Sequence, residues 1–472
     1  MSAPSSSFFV HSYGCQMNKL DSELVISKLV EAGFAPASRE SEANIVLLNT
    51  CSVRQHAEDR VWSKLGVLRQ RKRSEPELVV GMLGCMAEEH QRYVQSRMPH
   101  VDLVVGPSAF GDIDKQVSLA VRRNQTLARK NNPLGKAPSA HIVGAGVLAV
   151  GDGVSGDTIT RNVKVRPHRS QAWVSIMRGC NMPCSYCIVP TTRGIEVSRP
   201  VAAIVEEVAR LCDDGVTEIT LLGQTVNAYG RDLGPGVTLA VLLRALHEIP
   251  MLRRIAFITS HPNFLSKDLL QAFVELPKLA RYLHLPAQSG SDALLKSMRR
   301  GYTVAKYLDR VDALRAMVTN VELHSDFIVG YPGETEADLE ATAALMERVR
   351  FAQSYVFKYS PRPGTLAAKE LVDDISEVEK ERRNQVLLAI QERHTMEMHE
   401  RLVGSVQEVL VEGESQREGR LQGRTQHHRI VHFDSDDKDL FGTYVPIKIT
   451  FAAAHSLVGE LLPMHHHVEA GA

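Results

Sequence analysis

The sequence predicts an α/β protein in three parts: an N-terminal doubly wound α/β domain, a central partial (β/α)6 barrel and a small C-terminal β-barrel. Two observations predict this fold class. Short apolar runs alternate with helical patterns through most of the 472 residues, which is typical of parallel sheets covered by helices. The last part of the chain carries closely spaced strand patterns instead. At roughly 100–200 residues per domain, the length also requires more than one domain.

The N-terminal domain is predicted over residues 7–125, where strand-length apolar runs alternate with amphipathic helical patterns. A segment over 126–165 with Asn, Pro and spaced Gly residues interrupts this alternation, and we expect a connector with a little extended structure. The predicted elements are strands at Phe8–Tyr13, Ile45–Leu48, Leu78–Leu83 and Val101–Val105, a helix from about Asp21 and a helix over Ala57–Arg71.

The central barrel is predicted over residues 166–398. Six apolar runs suit strands, whereas a complete barrel of this kind has eight, so we expect one side to be open to a large substrate. The runs begin near Trp173, Ile219, Ile255, Tyr282, Leu323 and Tyr355, and the helical patterns include Ala202–Cys212, Lys306–Met317 and a charged helix over Glu377–Glu400.

The C-terminal β-barrel is predicted over residues 399–464. Its short apolar segments have the spacing of a small β-barrel, and a final glycine, Gly459, follows them. The predicted strands are Val406–Val411, Arg429–Phe433 and Tyr444–Ile449.

Charge, hydropathy and cysteine number restrict the partners, the location and the cysteine chemistry that the sequence predicts. Lys and Arg total 55, as do Asp and Glu, so no global charge predicts a polyanionic partner. Neither a signal peptide nor an apolar run of roughly 18 residues is present, which predicts a cytoplasmic protein without a membrane segment. Because cytosolic thiols stay reduced, the seven cysteines point to metal binding or catalysis rather than to disulfides.

Three cysteines form a compact loop directly after the first predicted barrel strand. Cys180, Cys184 and Cys187 are spaced so that one loop can surround one metal centre. A structural zinc site or an ordinary cubane cluster takes four protein ligands, and this loop supplies three. A cubane held in this way keeps one iron free to chelate a small molecule. The loop also follows the carboxyl end of a barrel strand, where barrel enzymes place their chemistry.

Three further cysteines are spread through the N-terminal domain. Cys15, Cys51 and Cys85 each follow an apolar run, about one strand–helix–strand repeat apart. In a parallel sheet these positions gather along the carboxyl edge, where open α/β sheets bind ligands. Gly14 and Gly84 would let a bulky inorganic group approach the backbone. The pattern predicts a second cluster held by three thiolates.

The seventh cysteine and the histidine run near the C-terminus are assigned no function. Cys212 lies on the apolar face of a helical pattern and is predicted to pack in the core. A short histidine run near the C-terminus, His465–His467, is expected to be a solvated tail. No side chain is assigned as an acid–base catalyst.

The motifs of this chain resemble those of a known enzyme family across almost its whole length. The chain is similar to the radical S-adenosylmethionine methylthiotransferases, in particular the MiaB-type tRNA enzymes. The motifs that carry the resemblance are Tyr13-Gly-Cys-Gln-Met-Asn18, Asp21-Ser-Glu23, Asn49-Thr-Cys-Ser-Val-Arg54, Gly84-Cys-Met-Ala87, Arg178-Gly-Cys-Asn-Met-Pro-Cys-Ser-Tyr-Cys187, Gly223-Gln-Thr-Val-Asn-Ala-Tyr229, Ser260-His-Pro262, His284-Leu-Pro-Ala-Gln-Ser-Gly-Ser291, Gly330-Tyr-Pro-Gly-Glu-Thr335 and Tyr359-Ser-Pro-Arg-Pro-Gly-Thr365.

The resemblance implies modules, cofactors and a reaction. The modules are a methylthiotransferase domain, a radical S-adenosylmethionine barrel and an RNA-binding TRAM domain. The cofactors are two [4Fe-4S] clusters and S-adenosyl-L-methionine, which serves as methyl donor and radical source. The substrate is tRNA, whose anticodon stem-loop carries an N6-isopentenyladenosine that gains a methylthio group at C2. An electron donor protein is implied as a partner, and we expect a monomer.

Further site residues follow by analogy with such barrels. Gly223 and Gln224 after the second strand, and Ile328 and Gly330 at the fifth, are predicted to line the S-adenosyl-L-methionine site, although a turn glycine and a core isoleucine explain them equally well.

Predicted RNA contacts depend on local charge, because the C-terminal segment is net acidic. Arg424 and Arg429 are the first candidates, with His427 and His428 beside them. The basic run Arg69, Arg71, Lys72 and Arg73 is another candidate, which a solvated helix end explains equally well.

Two other functions stay open from the sequence. Relatives in the same superfamily methylthiolate threonylcarbamoyladenosine in tRNA or an aspartate of a ribosomal protein. A zinc-stabilised RNA-binding protein would use the same six thiols without any redox chemistry.

Overall fold

The computed structural model describes residues 6–52, 55–130, 147–149 and 169–463. Most of the predicted connector and the histidine run near the C-terminus lie outside these residues. The chain forms two compact units. The first comprises the chain up to Arg166 together with Arg178–Asn181 and Ile188–Glu196, and the second comprises Pro167–Met177, Met182–Cys187 and the chain from Val197 onward.

A six-stranded parallel sheet forms the first unit, with strand order β2-β1-β3-β4-β5-β6. The strands are β1 (Ser7–Tyr13), β2 (Ala35–Pro36), β3 (Ile45–Thr50), β4 (Val79–Gly84), β5 (Leu103–Val105) and β6 (Val147–Ala149). The helices are α1 (Gln16–Glu31), α2 (Gln55–Ser74), α3 (Cys85–Arg97) and α4 (Ile113–Lys130).

Helices cover both faces of this sheet, as the apolar runs of β3 and β4 predict. Every residue of these two strands is buried. Val46 and Leu48 pack with the apolar residues of α2 and α3, whereas Ile45 and Leu47 on the opposite face pack with those of α1 and α4. Strands buried on both faces need continuous apolar sequences, which explains why they were recognisable. The doubly wound fold is confirmed.

Two element bounds of the first unit differ from the prediction. Helix α1 begins at Gln16 rather than near Asp21, because its first turn is polar and lacks the apolar spacing that marks a helix. Helix α4 continues to Lys130, into the predicted connector. The short strand β6 is the extended structure expected there, and it pairs with β5.

Parallel strands in two sheets of three form the barrel of the second unit, with orders β7-β10-β11 and β12-β13-β14. Backbone hydrogen bonds from Ala280 to Ile255 at 2.8 Å and from Ser260 to His284 at 3.2 Å join the two sheets. The strands are β7 (Gln171–Ser175), β10 (Glu218–Leu222), β11 (Arg254–Phe257), β12 (Tyr282–His284), β13 (Glu322–Val329) and β14 (Gln353–Lys358), and two short strands, β8 (Met177–Arg178) and β9 (Val197–Ser198), fall between β7 and β10 in sequence.

Except for the helix that follows Pro200, the described helices of the second unit begin at Ser or Thr capping residues. The Ser376 side chain accepts a hydrogen bond from the Glu379 N–H, and the helix of 24 residues that follows has the predicted bounds. Short α5 (Val189–Arg193) belongs to the first unit. The helices of the second unit are α6 (Val201–Asp213), α7 (Leu239–His247), α8 (Lys267–Glu275), α9 (Asp292–Ser297), α10 (Val304–Met317), α11 (Glu336–Val349), α12 (Leu366–Glu370) and α13 (Glu377–Glu400).

A closed five-stranded barrel ends the second unit, with strand order β15-β16-β17-β19-β18. The sequence did not predict β16, because only one of its six residues, Leu421, is strongly apolar. Its inward positions are completed by Gly423 and Thr425, which are small enough for a narrow barrel. The strands are β15 (Val406–Glu414), β16 (Arg420–Thr425), β17 (Ile430–Asp434), β18 (Tyr444–Ala452) and β19 (Leu457–Leu461).

The C-terminal barrel packs against the amino ends of the central barrel strands. Arg254, the first residue of β11, pairs with Glu218 of β10 at 2.9 Å and donates to the carbonyl of Thr425 at 3.3 Å. Glu322, the first residue of β13, pairs with Arg429 at 2.8 Å. These contacts involve the strand ends opposite to those that lead into the catalytic loops of such barrels.

Among the residues that the structure describes, we find no helix with the length and apolar character needed to cross a bilayer.

Candidate functional site

Cys15, Cys51 and Cys85 lie at the carboxyl ends of three adjacent strands. Cys15 lies between β1 and α1, Cys51 follows β3, and Cys85 is the first residue of α3 after β4. Because β1, β3 and β4 are neighbours in the sheet, their ends bring the three thiols to one edge. Cys51 and Cys85 are buried and Cys15 is partly buried. The structure therefore assembles the trio that the repeat spacing predicts.

A buried polar network supports the backbone beneath this trio. The Asn49 amide donates to the carbonyl of Asn18 at 2.8 Å and to the Ser22 hydroxyl at 2.9 Å. The sulfur of Cys15 lies 3.1 Å from the side-chain oxygen of Asn18. These buried groups satisfy one another, so they fix the start of α1 against the end of β3.

Glycines provide the space that the trio requires. Gly14 has φ 121°, and a Cβ built there would lie 2.5 Å from Cβ of Cys51. Gly84 has φ 89°, and its Cβ would lie 2.6 Å from the carbonyl oxygen of Thr50. Both backbone conformation and space therefore exclude larger residues directly before Cys15 and Cys85.

Arg193 brings a buried positive charge to the three thiols. It is the last residue of α5, in a segment that belongs to the first unit. Its guanidinium donates to the Asp21 carboxylate at 2.7 Å and interacts electrostatically with Cys15 and Cys85. Sequence spacing gave no signal for this contact, because Arg193 and Asp21 lie 172 positions apart.

The thiols of this trio have strongly perturbed acidities. A hydrogen bond from Cys51 lowers the pKa of the Cys15 thiol to about 6, burial opposes that effect, and the Arg193 charge assists it. Burial raises the pKa of the Cys85 thiol, and the charge of Arg193 opposes the rise. Thiolates are the form that binds metal, so the arginine favours the ligating state.

The donor set fits an iron–sulfur cluster better than a single ion. Among the described residues, the only His, Cys, Asp or Glu trio whose ligand atoms all lie within 4.8 Å of one another is Glu58, Glu89 and His90. At least two of the sulfurs of Cys15, Cys51 and Cys85 are thus more than 4.8 Å apart. Ligands of one tetrahedral zinc are close together, whereas the thiolates of a cubane bind different iron atoms.

Cys180 opens the second cysteine loop within the first unit. Its N–H donates to the carbonyl of Gly194 at 3.1 Å. Gly179 has φ 67°, and a Cβ built there would lie 1.9 Å from the carbonyl oxygen of Ile195. Only glycine fits directly before this cysteine, which fixes the backbone path into the loop.

Cys184 and Cys187 lie in the second unit, where their part of the loop is held firmly. The Cys187 N–H donates to the carbonyl of Cys184 at 3.1 Å. Between them, the Ser185 N–H donates to the carbonyl of Met298 at 3.1 Å, and its hydroxyl donates to that of Ser297 at 2.8 Å. These bonds fix both cysteines relative to the end of α9.

The predicted S-adenosyl-L-methionine residues of β10 lie where the barrel places its catalytic end. Gly223 directly follows β10, and a Cβ there would lie 2.6 Å from the Met177 side chain. Oε1 of Gln224, Oγ of Ser260 and Nε2 of His261 are buried without a hydrogen-bond partner among the described residues. These three atoms lie at the ends of adjacent strands and are available to a polar ligand.

The other predicted pair, Ile328 and Gly330, lies at the carboxyl end of β13. Ile328 packs with Tyr331 and Tyr359 in a buried apolar cluster. Gly330 has φ 70°, its N–H donates to Glu334 at 2.5 Å, and a Cβ there would lie 2.2 Å from the Lys380 side chain. Packing accounts for both residues, and their contact with a ligand stays a prediction.

The predicted RNA contacts are engaged within the second unit. Arg429 is buried and pairs with Glu322, and Arg424 is partly exposed and pairs with Glu412 at 3.0 Å. His428 is partly buried and stacks on Tyr282. The burial of Arg429 favours a structural role for this residue, while contact with RNA stays a prediction for Arg424.

The basic run at the end of α2 is partly used by the fold. Lys72 pairs with Asp102, and Arg71 donates to the carbonyls of Glu40 and Ala43 at 2.8 Å each. Arg69 and Arg73 are exposed. Cys212 is buried in α6, which agrees with its predicted place in the core.

A partial parallel barrel whose first strand leads into a compact three-cysteine loop defines the class of radical S-adenosylmethionine enzymes. Family models agree with this class and with the flanking modules. The chain matches the Uncharacterized protein family UPF0004 over residues 7–106, the Radical SAM superfamily over residues 174–346 and the TRAM domain over residues 400–462.

Curated relatives match over nearly their full length. The chain is 41% identical to the tRNA-2-methylthio-N(6)-dimethylallyladenosine synthase of Pelobacter propionicus, over 96% of this chain and 98% of that protein. It is 39% identical to the enzyme of the same name from Neisseria gonorrhoeae, over 96% of this chain and 99% of that protein. The chain therefore belongs to the tRNA-2-methylthio-N(6)-dimethylallyladenosine synthase family.

Solved structures share the fold at much lower sequence identity. The radical S-adenosylmethionine methyltransferase TsrM from Kitasatospora setae is similar with a TM-score of 0.52 and 14% identity, over 86% of this chain and 80% of that chain. This likeness concerns the fold alone.

Proposed function

We propose that this protein transfers a methylthio group to C2 of N6-isopentenyladenosine beside the anticodon of tRNA, at position 37. The observation that carries the proposal is the presence of two separate sets of three cysteines, one at the carboxyl edge of the N-terminal sheet and one after the first barrel strand. The names of the curated relatives support the same substrate.

Each set of cysteines would hold one [4Fe-4S] cluster with one iron free of protein ligands. Cys180, Cys184 and Cys187 would hold the cluster that binds S-adenosyl-L-methionine, and Cys15, Cys51 and Cys85 would hold the cluster that binds the sulfur to be transferred. When bound, the first cluster supplies one electron that cleaves S-adenosyl-L-methionine, and the second supplies sulfur.

The residues of the chain favour thiolates at the N-terminal site and leave polar atoms unpaired at the barrel site. Arg193 and the donor groups around Cys15 favour thiolates in the N-terminal site. At the barrel end, Gln224, Ser260 and His261 offer unpaired polar atoms to S-adenosyl-L-methionine or to the target nucleoside. We include Gly223, Ile328 and Gly330 in the S-adenosyl-L-methionine site on the strength of their strand positions.

The partners follow from the reaction. The substrate is tRNA with its anticodon stem-loop, the TRAM domain contributes to its binding, and an electron donor protein reduces the cluster in the barrel. We propose a monomer that acts in the cytoplasm, where tRNA is modified.

Nucleoside mass spectrometry of tRNA tests the function. In a strain that lacks this gene, we expect N6-isopentenyladenosine to accumulate without its methylthio derivative, and the intact gene should restore that derivative. The Cys212→Ala variant should restore it as well, because Cys212 is a core residue. An unchanged level of the derivative in the deletion strain, or loss of methylthio-threonylcarbamoyladenosine instead, would contradict the assignment.

A further inference from the structure

Arg300 is a buried cation placed directly on a sulfur of the barrel cysteine loop. Its exposed fraction is 6%. One terminal nitrogen, Nη1, donates to the sulfur of Cys184 at 3.2 Å. The other, Nη2, donates to the carbonyl of Pro286 at 3.4 Å, and Nε donates to the hydroxyl of Tyr302 at 3.2 Å. Every nitrogen of the guanidinium is therefore engaged.

The frame that holds this guanidinium is itself rigid. The Tyr302 hydroxyl donates to the carbonyl of Ala287 at 2.9 Å, so the aromatic ring is tied to the segment after β12. The Ser185 bonds to the end of α9 fix the cysteine loop on the other side. Both partners of the Arg300–Cys184 contact are thus held in place by hydrogen bonds to other parts of the second unit.

No carboxylate among the described residues neutralises Arg300, unlike other buried arginines of the same chain. Arg193 pairs with Asp21 and Arg254 pairs with Glu218. A buried charge without a counter-ion is costly, so a site of this kind requires an anion. The Cys184 thiolate and the cluster it ligates are the matching anions.

We propose that Arg300 is a positioning residue that holds Cys184 as a cluster ligand and raises the reduction potential of that cluster. Hydrogen bonds and positive charge at a ligand sulfur stabilise the more negative, reduced cluster, and so raise its potential. The electron comes from the external one-electron donor, and Arg300 exchanges neither electron nor proton. The inference rests on the cluster proposed above. It goes further by naming a residue that controls the ease of its reduction.

The matched variants differ in whether they remove the charge beside Cys184. Arg300→Gln removes the buried charge. Arg300→Lys keeps the charge but loses the planar fork that reaches both Cys184 and Pro286. Arg299→Gln removes one positive charge from the exposed neighbouring position and serves as the control.

A redox titration monitored by electron paramagnetic resonance, on the full anaerobically reconstituted chain, tests the proposal. The signal that changes when S-adenosyl-L-methionine is added belongs to the barrel cluster, and the other signal serves as an internal reference. For Arg300→Gln we expect the ratio of reduced to oxidised barrel cluster at a fixed potential to fall about tenfold, a shift of about 59 mV for one electron. Arg300→Lys should lie between this variant and the wild type, and Arg299→Gln should match the wild type.

Contrary outcomes are distinct from failure of the proposed function. Absence of iron from the wild-type chain would refute the clusters themselves. If an iron-loaded Arg300→Gln chain has the wild-type reduction potential, the proposed role of Arg300 is overturned. This holds even if S-adenosyl-L-methionine binds more weakly to that variant, because Arg300 would then act on that ligand and not on the cluster. If Arg300→Gln does not retain its barrel cluster, Arg300→Lys decides: a lowered potential supports the proposal and a wild-type potential overturns it.

Discussion

Replacing Cys184 by alanine is expected to reduce the formation of 5′-deoxyadenosine to the background seen without enzyme. The variant removes one of three thiolates from the loop and leaves Arg300 as a buried cation without its sulfur partner. A cluster held by only two cysteines would not keep the iron that binds S-adenosyl-L-methionine. Quantifying 5′-deoxyadenosine by liquid chromatography, with dithionite as the electron source, measures this effect.

The Cys212→Ala variant is the matched control for this experiment. It also removes one buried thiol, but from the apolar side of α6. We expect its 5′-deoxyadenosine yield to remain close to that of the wild type. Undiminished cleavage by Cys184→Ala would remove the barrel loop from the radical step.

Replacing Cys51 by alanine is expected to separate the two halves of the reaction. The N-terminal site would lose one of its three proposed thiolate ligands, so its cluster should not assemble. The barrel loop is unchanged, so cleavage of S-adenosyl-L-methionine should continue while the methylthio product falls to background. The measurement combines 5′-deoxyadenosine analysis with mass spectrometry of an N6-isopentenyladenosine-containing RNA.

Two results would contradict this separation of roles. Normal methylthio product from Cys51→Ala would exclude the N-terminal trio from sulfur transfer. Loss of both activities together with a lowered melting temperature, when Cys212→Ala keeps both, would indicate a structural role for Cys51 instead.

The sequence predicted the elements whose apolar positions are regular. The barrel strands are short apolar runs, and helix Glu377–Glu400 begins at a serine cap, so hydrophobic pattern and capping rules sufficed. The start of α1 was not predicted, because its first turns bury the polar residues Asn18 and Asp21, which apolar periodicity does not detect. Strand β16 was not predicted, because two of its three inward residues are small rather than strongly apolar.

The position of the N-terminal cysteines at one sheet edge was predictable, whereas the buried charges near the cysteines were not. A cysteine after each of three consecutive parallel strands must reach the same sheet edge, so spacing was enough. Arg300 reaches Cys184 across 116 positions, and no carboxylate in the described part of the chain pairs with it. Such a contact depends on the packing of the loops that follow different strands, which spacing does not determine.

Metal analysis of the anaerobically purified chain is the most direct test of the two-cluster proposal. It should be performed beside one variant with Cys15, Cys51 and Cys85 replaced by alanine, and another with Cys180, Cys184 and Cys187 replaced. We expect about eight irons per wild-type chain and about four in each variant, since each trio holds one cubane. Stoichiometric zinc without iron, or a variant that keeps all the wild-type iron, would contradict the account.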